Sequence, residues 1–222
     1  MKQERILSGV QPSGKLHIGN YLGAIKQFVA LQNDYEAYYC VVDEHAITTP
    51  QNPKDLRRNT LSTALAYLAA GIDPKISVIF VQSHVSAHTE LGWILNTQTP
   101  IGELERMTQF KDKTAKGGEI HAGLLNYPTL MAADILLYKP TVVPVGEDQV
   151  QHIELTRSLA KRFNNHFGDT FVIPKPLLQK TSARVMALDD PTKKMSKSAT
   201  SEQSYIALLD TPDEIRKKIK TA

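Results

Sequence analysis

Cysteine is almost absent: Cys40 is the only one among 222 residues. No internal disulfide can form, so the fold must rest on buried apolar surface, and a reducing compartment suits it best. Long apolar runs are missing too. Nothing approaches the ~20 consecutive apolar residues of a membrane span. Residues 1–5 (MKQER) lead into a short strand pattern rather than a signal-peptide core. A cytoplasmic protein without membrane attachment is expected. Charge of one sign is equally scarce. The 26 Lys+Arg against 23 Asp+Glu give a formal net charge of +3, which permits contact with phosphates without demanding it. There is no internal repeat and no low-complexity tract. What is present, 41% hydrophobic and 22% charged residues, is ordinary for a globular chain and excludes disorder. The length suits one substantial domain with a small appendage.

The apolar pattern predicts alternating strands and helices. Residues 5–10 (RILSGV) read as a strand, followed by the turn-rich Gln11-Pro12-Ser13-Gly14. A helix starting near His17 carries Leu22, Ile25 and Val29 on one face. Residues 38–42 are β-branched and aromatic, as a buried strand requires. Pro53 opens a helix that Leu61, Leu65 and Leu68 carry to Gly71. A strand over 76–81 precedes a helix capped by Ser86. Segments 100–113 and 128–138 read as helices, the second behind Pro128. A strand over 142–145 passes through Gly146 into a long helix with Thr156, Leu159, Ala160, Phe163 and Phe167 as its stripe, ended by Gly168. Beyond 172–173 the text becomes proline- and lysine-rich, with a short helical tail from Pro212. The expected architecture is α/β: a Rossmann-like parallel sheet with helices on both faces. Its ligands belong beyond the strand C-terminal ends, at the turns after strand one and at Gly146.

Two segments carry phosphate chemistry. Gly9 to Lys15 fits P-loop spacing, but Leu16 stands where a hydroxyl should bind magnesium, and Pro12 removes a backbone donor. This is a near miss. His17-Ile18-Gly19-Asn20 opens a helix after a strand, where free N–H groups and positive potential favour an anion. His17 and Asn20 share an edge and both can donate to phosphoryl oxygens, while Gly19 leaves room for a flat base. Alone, the tetrapeptide reads equally as a helix-start histidine with a surface asparagine. Far along the chain, Lys194-Met195-Ser196-Lys197-Ser198 supplies lysines and hydroxyls suited to a departing polyphosphate, although most such segments are solvated loops.

Together these two segments resemble the HIGH and KMSKS signatures of class I aminoacyl-tRNA synthetases, with Asn20 in place of the second histidine. Residues 9–14 (GVQPSG), 42–46 (VDEHA), 127–136 (YPTLMAADIL) and 144–157 (PVGEDQVQHIELTR) resemble the tryptophanyl branch. The resemblance implies a catalytic domain over residues 1–190, with the lysine loop and the start of a helical region over 191–222. It implies ATP as substrate, Mg2+ carried on the phosphates with no protein-held metal, L-tryptophan, tRNA(Trp) and a homodimer. By the same resemblance the catalytic set is His17, Asn20, Lys113, Lys194 and Lys197. ATP would meet Gln11, Pro12, Ser13, Gly19, Asn20, Gly146, Glu147, Asp148 and Val185, together with residues 194–198. Tryptophan would meet Leu7, Gly9, His45, Tyr127, Met131, Asp134, Ile135, Val143, Val145 and Gln149. Relatives continue past the lysine loop into a domain that reads the anticodon. On that comparison the chain is expected to activate tryptophan and to charge tRNA(Trp) poorly.

The pocket also has a direct reading. Tyr127, Met131 and Asp134 fall at i, i+4 and i+7, so they share a helical face. A tyrosine, a soft methionine and one carboxylate form a flat, mostly apolar slot with a single acceptor, which suits indole. For an isolated segment, a core stripe with a paired aspartate explains the pattern equally well. The resemblance assigns Asp134 the indole N–H, and Leu7 departs from the usual phenylalanine beside the ring. A carboxylate alone does not separate indole from phenol, so tyrosine activation is the alternative, followed by a non-catalytic tryptophan- or nucleotide-binding dimer. His84 and His88 lack metal-site companions and read as surface or capping residues. Residues 216–220 (RKKIK) read as a solvated helix face.

Overall fold

A computed structural model describes residues 4–178, 185–196 and 201–222. In chain order the elements are β1 (Arg5–Val10), α1 (Ile18–Asn20), a π-helical turn (Tyr21–Ile25), α2 (Lys26–Leu31), β2 (Glu36–Val41), α3 (Asp43–Ala46) and α4 (Pro53–Ala70). Then come β3 (Ser77–Val81), α5 (Ala87–Thr97), α6 (Ile101–Glu105), α7 (Thr108–Ala115) and α8 (Ala122–Tyr138). The remaining elements are β4 (Val142–Val145), α9 (Val150–Phe167), β5 (Lys175–Leu178) and α10 (Pro212–Lys220).

Every strand pairing is parallel, in the order β3-β2-β1-β4-β5. The chain therefore runs outward from β1 in one direction through β2 and β3, then in the other through β4 and β5. The reversal opens a crevice beyond the ends of β1 and β4, where Val10 meets Gln11 and Val145 meets Gly146. Strand alternation sorts the core into two layers. Ile6, Val10, Ala37, Tyr39 and Val41 face Phe28 and Tyr67, while Leu7 faces Ile135, Val143, Val145 and Ile153. Tyr39 stacks on Phe28 at 4.7 Å and gives its hydroxyl hydrogen to the Phe28 carbonyl at 2.7 Å. Such a pair adds about 0.5–1.5 kcal/mol beyond the area it buries.

The predicted architecture stands, with local corrections. Leu61, Leu65 and Leu68 are 60%, 64% and 44% exposed. Thr63 and Tyr67 hold the inner face of α4 instead. Phe167 is likewise exposed at the end of the α9 stripe. The segment 100–113 is two helices, broken at Arg106-Met107. Helix α8 begins at Ala122 and contains Pro128, whose missing N–H leaves one carbonyl a turn earlier without its helical partner. The second strand starts and ends slightly earlier than read, and β5 was not foreseen. Ser86 precedes α5 but makes no backbone cap bond; its hydroxyl reaches Glu90 at 3.3 Å.

Candidate active site

The crevice at the β1/β4 reversal deepens into a cavity of about 320 Å³. Leu7 and Gly9 enter it from β1, His45 from α3, Tyr127, Met131, Asp134 and Ile135 from α8, and Val143, Val145 and Gln149 from β4 and the turn after it. All the residues expected around tryptophan thus line one cavity. Gln11 and Gly146 lie on the same wall. Gly9 is required by packing: a Cβ there would stand 2.8 Å from the Cys40 carbonyl oxygen and 3.0 Å from Val42 Cγ1.

Asp134 is 4% exposed and is held by three donors. Oδ1 accepts from Gln82 Nε2 at 2.8 Å and from His88 Nδ1 at 2.7 Å. Oδ2 accepts from His45 Nε2 at 2.7 Å. Burial alone would raise the carboxyl pKa, but the hydrogen bonds from His45 and His88 outweigh it and hold the group below its ordinary value. Asp134 is therefore an ionised, pure acceptor at neutral pH. The proton on His88 Nδ1 leaves Nε2 to meet the Tyr138 hydroxyl at 2.9 Å. His88 is fully buried, which corrects the surface reading of that residue; His84 is exposed as expected.

A second polar group faces the other end of the slot. The Tyr127 hydroxyl donates to Gln109 Oε1 at 3.0 Å and lies 2.7 Å from His152 Nε2. Burial pushes the Tyr127 phenol up to about 12 and lowers His152 to about 4, so both are neutral at pH 7. With its proton on Nε2, His152 donates to the phenol oxygen, which keeps one lone pair for a ligand N–H. Gln149 turns its amide to Asp148 Oδ2 at 2.9 Å. A Cβ on Gly146 would sit 2.7 Å from Asp148 Oδ1, so that carboxylate folds over the glycine.

The helix start after β1 is closed by a reciprocal cap. Gly19 N–H donates to His17 Nδ1 at 3.1 Å, and His17 N–H donates to Asn20 Oδ1 at 3.0 Å. Both side chains were expected to donate to phosphate. The cap uses one acceptor atom of each; by their chemistry His17 Nε2 and the Asn20 amide nitrogen are donors. A Cβ on Gly19 would lie 2.9 Å from the His17 ring, so a larger residue there would force the capping imidazole to shift. A π-helical turn follows directly, a feature common at functional sites.

The lysine-rich region reaches this helix start. Ile18 N–H donates to the Ile206 carbonyl at 3.0 Å, and Leu208 N–H to the Leu16 carbonyl at 2.9 Å. Met195 N–H reaches the Val185 carbonyl at 2.9 Å, and Leu188 N–H the Ser204 carbonyl at 2.9 Å. Met195, Tyr205 and Ala207 bury one another, with Ile18, Val185 and Leu188 packed around them. Met195 is thus an anchor at 4% exposure, while Lys194 is exposed. Lys218 secures this corner from α10, donating to Asp210 Oδ2 at 2.6 Å and to the Tyr205 carbonyl at 3.0 Å. The tail is therefore not wholly a solvated face.

Other expected residues stand apart from the cavity. Pro12 is buried and Ser13 partly so, Glu147 and Asp148 are exposed, and Ser196 follows Met195. Lys113 is exposed on α7, one turn beyond the cavity-lining Gln109. Lys197 and Ser198 lie outside the described residues. Sequence reasoning missed Gln82, His88, Gln109, Tyr138 and His152. Gln82 directly follows the C-terminal end of β3, where α/β folds gather their sites, so that position carried a usable signal. Among the described residues no group of three or more His, Cys, Asp or Glu could hold a metal, and no helix is long and apolar enough to cross a membrane.

A doubly wound parallel sheet, an amino-acid-sized slot at its reversal and a phosphate-type helix start beside a lysine-bearing loop together define a nucleotide-dependent synthetase domain of class I type. The family of class I tRNA synthetases for W and Y matches residues 1–222. The tryptophan–tRNA ligase of Caldanaerobacter subterraneus is 59% identical over 219 residues, covering 99% of this chain and 67% of the relative. Tryptophanyl-tRNA synthetase of Mycoplasma pneumoniae superposes with a TM-score of 0.91 at 43% identity, over 99% of this chain and 66% of that one. The Campylobacter jejuni enzyme, solved with ADP and tryptophan, gives 0.88 at 44% identity, over 98% of this chain and 66% of that one. The chain belongs to the class I tRNA synthetases and, within them, to the tryptophan–tRNA ligases, spanning about two thirds of the length of these relatives.

Proposed function

We propose that this chain activates L-tryptophan with ATP. A carboxylate oxygen of tryptophan attacks the α-phosphorus in line, the bond to the β-phosphate bridge breaks, and tryptophanyl-adenylate and pyrophosphate result. The observation that carries this reading is the buried, ionised Asp134 in a cavity walled by Leu7, Met131, Ile135, Val143 and Val145 at the β1/β4 reversal. Indole lies against Leu7, Met131, Ile135, Val143 and Val145, with its N–H on Asp134 and His45 beside it. The α-ammonium is held by Tyr127 and Gln149, and Gly9 admits the backbone. Adenosine is held by Gly19, Gly146, Asp148 and Val185, flanked by Gln11, Pro12, Ser13 and Glu147. His17 and Asn20 donate to the reacting phosphates. Lys113, Lys194 and Lys197 neutralise the leaving pyrophosphate, Ser196 and Ser198 contribute from the same loop to ATP binding, and Met195 anchors that loop. Magnesium arrives on the ATP phosphates. Little covalent help is needed, since such transfers depend on alignment and charge neutralisation.

In a protein of the relatives' full length the adenylate is passed to tRNA(Trp) in the cytoplasm, with residues 191–222 beginning the helical region. A homodimer is part of this reading: Leu61, Leu65 and Leu68 on α4, and Trp93 and Ile94 on α5, form exposed apolar faces that a second copy would cover. ATP–pyrophosphate exchange with tryptophan, with tyrosine and with no amino acid tests the activity, and exchange independent of tryptophan would end the proposal. Lys194→Ala is expected to slow adenylate formation about 10²-fold, the scale of other preorganised electrostatic contacts. KM for tryptophan should change little, because the contact matters mainly in the transition state. A single-turnover rate equal to the parent's would remove Lys194 from that role.

A further inference from the structure

We infer that Gln82 and His88 are specificity-determining positioning residues, which saturate one oxygen of Asp134 and leave a single acceptor position toward the pocket, so that an indole N–H is admitted and a phenol O–H refused. The inference rests on the reading above that an aromatic amino acid occupies this cavity. A carboxylate oxygen offers two lone pairs, and both on Oδ1 are taken, by Gln82 and His88. Oδ2 holds His45 and has one position left. Of these three donors only His45 also lines the cavity; Gln82 and His88 are fully buried behind it.

Both residues are themselves fixed. Glu44 N–H donates to Gln82 Oε1 at 3.1 Å, which orients the amide so that its NH2 group points at Asp134. The Tyr138 hydroxyl meets His88 Nε2 at 2.9 Å, and the imidazole stacks on Phe80 at 5.8 Å. The remaining titratable groups that feel the Asp134 charge are Cys40 on β2, Glu44 on α3 and Tyr138 on α8.

An indole N–H is a donor with no in-plane lone pair, so one acceptor satisfies it. A phenol has the same hydrogen to give, but its oxygen also carries lone pairs. Those would face the carboxylate, while the one pocket-lining donor on Asp134 has its hydrogen committed to Oδ2. Burying an unpaired hydroxyl oxygen is costly. Without His88 or Gln82, Oδ1 is under-satisfied, the carboxylate is free to turn, and it more readily takes a proton. A protonated carboxyl can donate to the phenol oxygen, and discrimination falls.

The test is calorimetric binding of L-tryptophan, 1-methyl-L-tryptophan and L-tyrosine to the parent chain, H88L, H88N, Q82M and Y138F, each checked by thermal melting. In H88N the carboxamide N–H stands in for Nδ1–H. The tryptophan-to-tyrosine affinity ratio should fall about tenfold or more in H88L and Q82M, the scale of a hydrogen bond to a charged group. H88N should keep the ratio within about threefold of the parent, since the donor is restored. If neither H88L nor Q82M folds, Y138F carries the comparison and should narrow the ratio. An unchanged ratio in folded H88L and Q82M, or H88N behaving like H88L, overturns the inference. If the parent binds 1-methyltryptophan as tightly as tryptophan, the Asp134–indole contact itself fails, and the inference falls with it.

Discussion

Asp134→Asn should lower kcat/KM for tryptophan by about 10³-fold or more, with most of the loss in binding of the ring. The side chains are nearly the same size, so the slot keeps its shape and hydrogen bonding alone changes. The amide oxygen must occupy the Oδ1 position, because Gln82 Nε2 and His88 Nδ1 both donate there. The NH2 group then falls at Oδ2 and presents a donor to the pocket. Indole N–H meets it donor to donor, whereas a tyrosine oxygen could accept from it. Selectivity should therefore move toward tyrosine as tryptophan is lost. Steady-state exchange with both amino acids measures this, and an asparagine variant that keeps its tryptophan preference would remove Asp134 from recognition. Asp134→Ala is a blunter version, since it leaves His45, Gln82 and His88 without their acceptor.

The same carboxylate sets a pH direction. Its folded-state pKa lies below the ordinary carboxylate value. The stability it contributes is therefore fully present above the unfolded pKa, ~3.9, and is lost as pH falls through the lower folded value. Tryptophan affinity should follow the same course, flat from neutral to mildly acid pH and falling only in strong acid. His152, lowered to about 4 by burial, gains its charge in that range too and would weaken its site at Tyr127.

Lys218→Met is the second large expectation, costing about 3–5 kcal/mol where α10 meets the helix start. Lys218 is 7% exposed and lies 5.2 Å from the centre of the Tyr205 ring. Removing it strands Asp210, whose Oδ2 also accepts from Ala207 N–H at 2.8 Å. That turn supplies the backbone partners of Leu16 and Ile18, and Tyr205 sits 5.9 Å from His17. Loosening α10 should therefore reach the phosphate-binding helix. Amide exchange at Ile18 and Leu208 should speed up about 10²- to 10⁴-fold, the equivalent of that cost. The double change K218M/D210N, which leaves no unpaired charge, should recover much of the protection. Unaltered exchange at both amides in the single variant would break the link between α10 and His17.

Much of this was readable from local pattern. The strands over 5–10 and 142–145 are short apolar runs ended by turn residues, and α4 is bracketed by Pro53 and Gly71, the usual start and stop signals. The cavity-lining face of α8 follows from helical spacing, and the tryptophan set followed from resemblance. What failed depended on distant partners. Pro128 looked like a helix start because proline is favoured there, but neighbouring helices hold a full turn in front of it. Leu61, Leu65 and Leu68 fit a core stripe by period alone, and nothing local says which face turns inward. His88 seemed uncommitted because its partners, Asp134 and Tyr138, are 46 and 50 residues away. The strand β5 (KPLL) is too short and proline-interrupted to announce itself; it forms because β4 offers an open edge.

Trp93 is the chain's only tryptophan and stands 68% exposed on α5, outside the cavity. Under excitation selective for indole, the protein's own signal therefore comes from a residue outside the slot, and a ligand indole entering the cavity is seen against that single exposed side chain. A blue shift of that residue on concentrating the protein would instead report another molecule closing over α5. Ligand capture and self-association can thus be followed separately by light, without attaching a label.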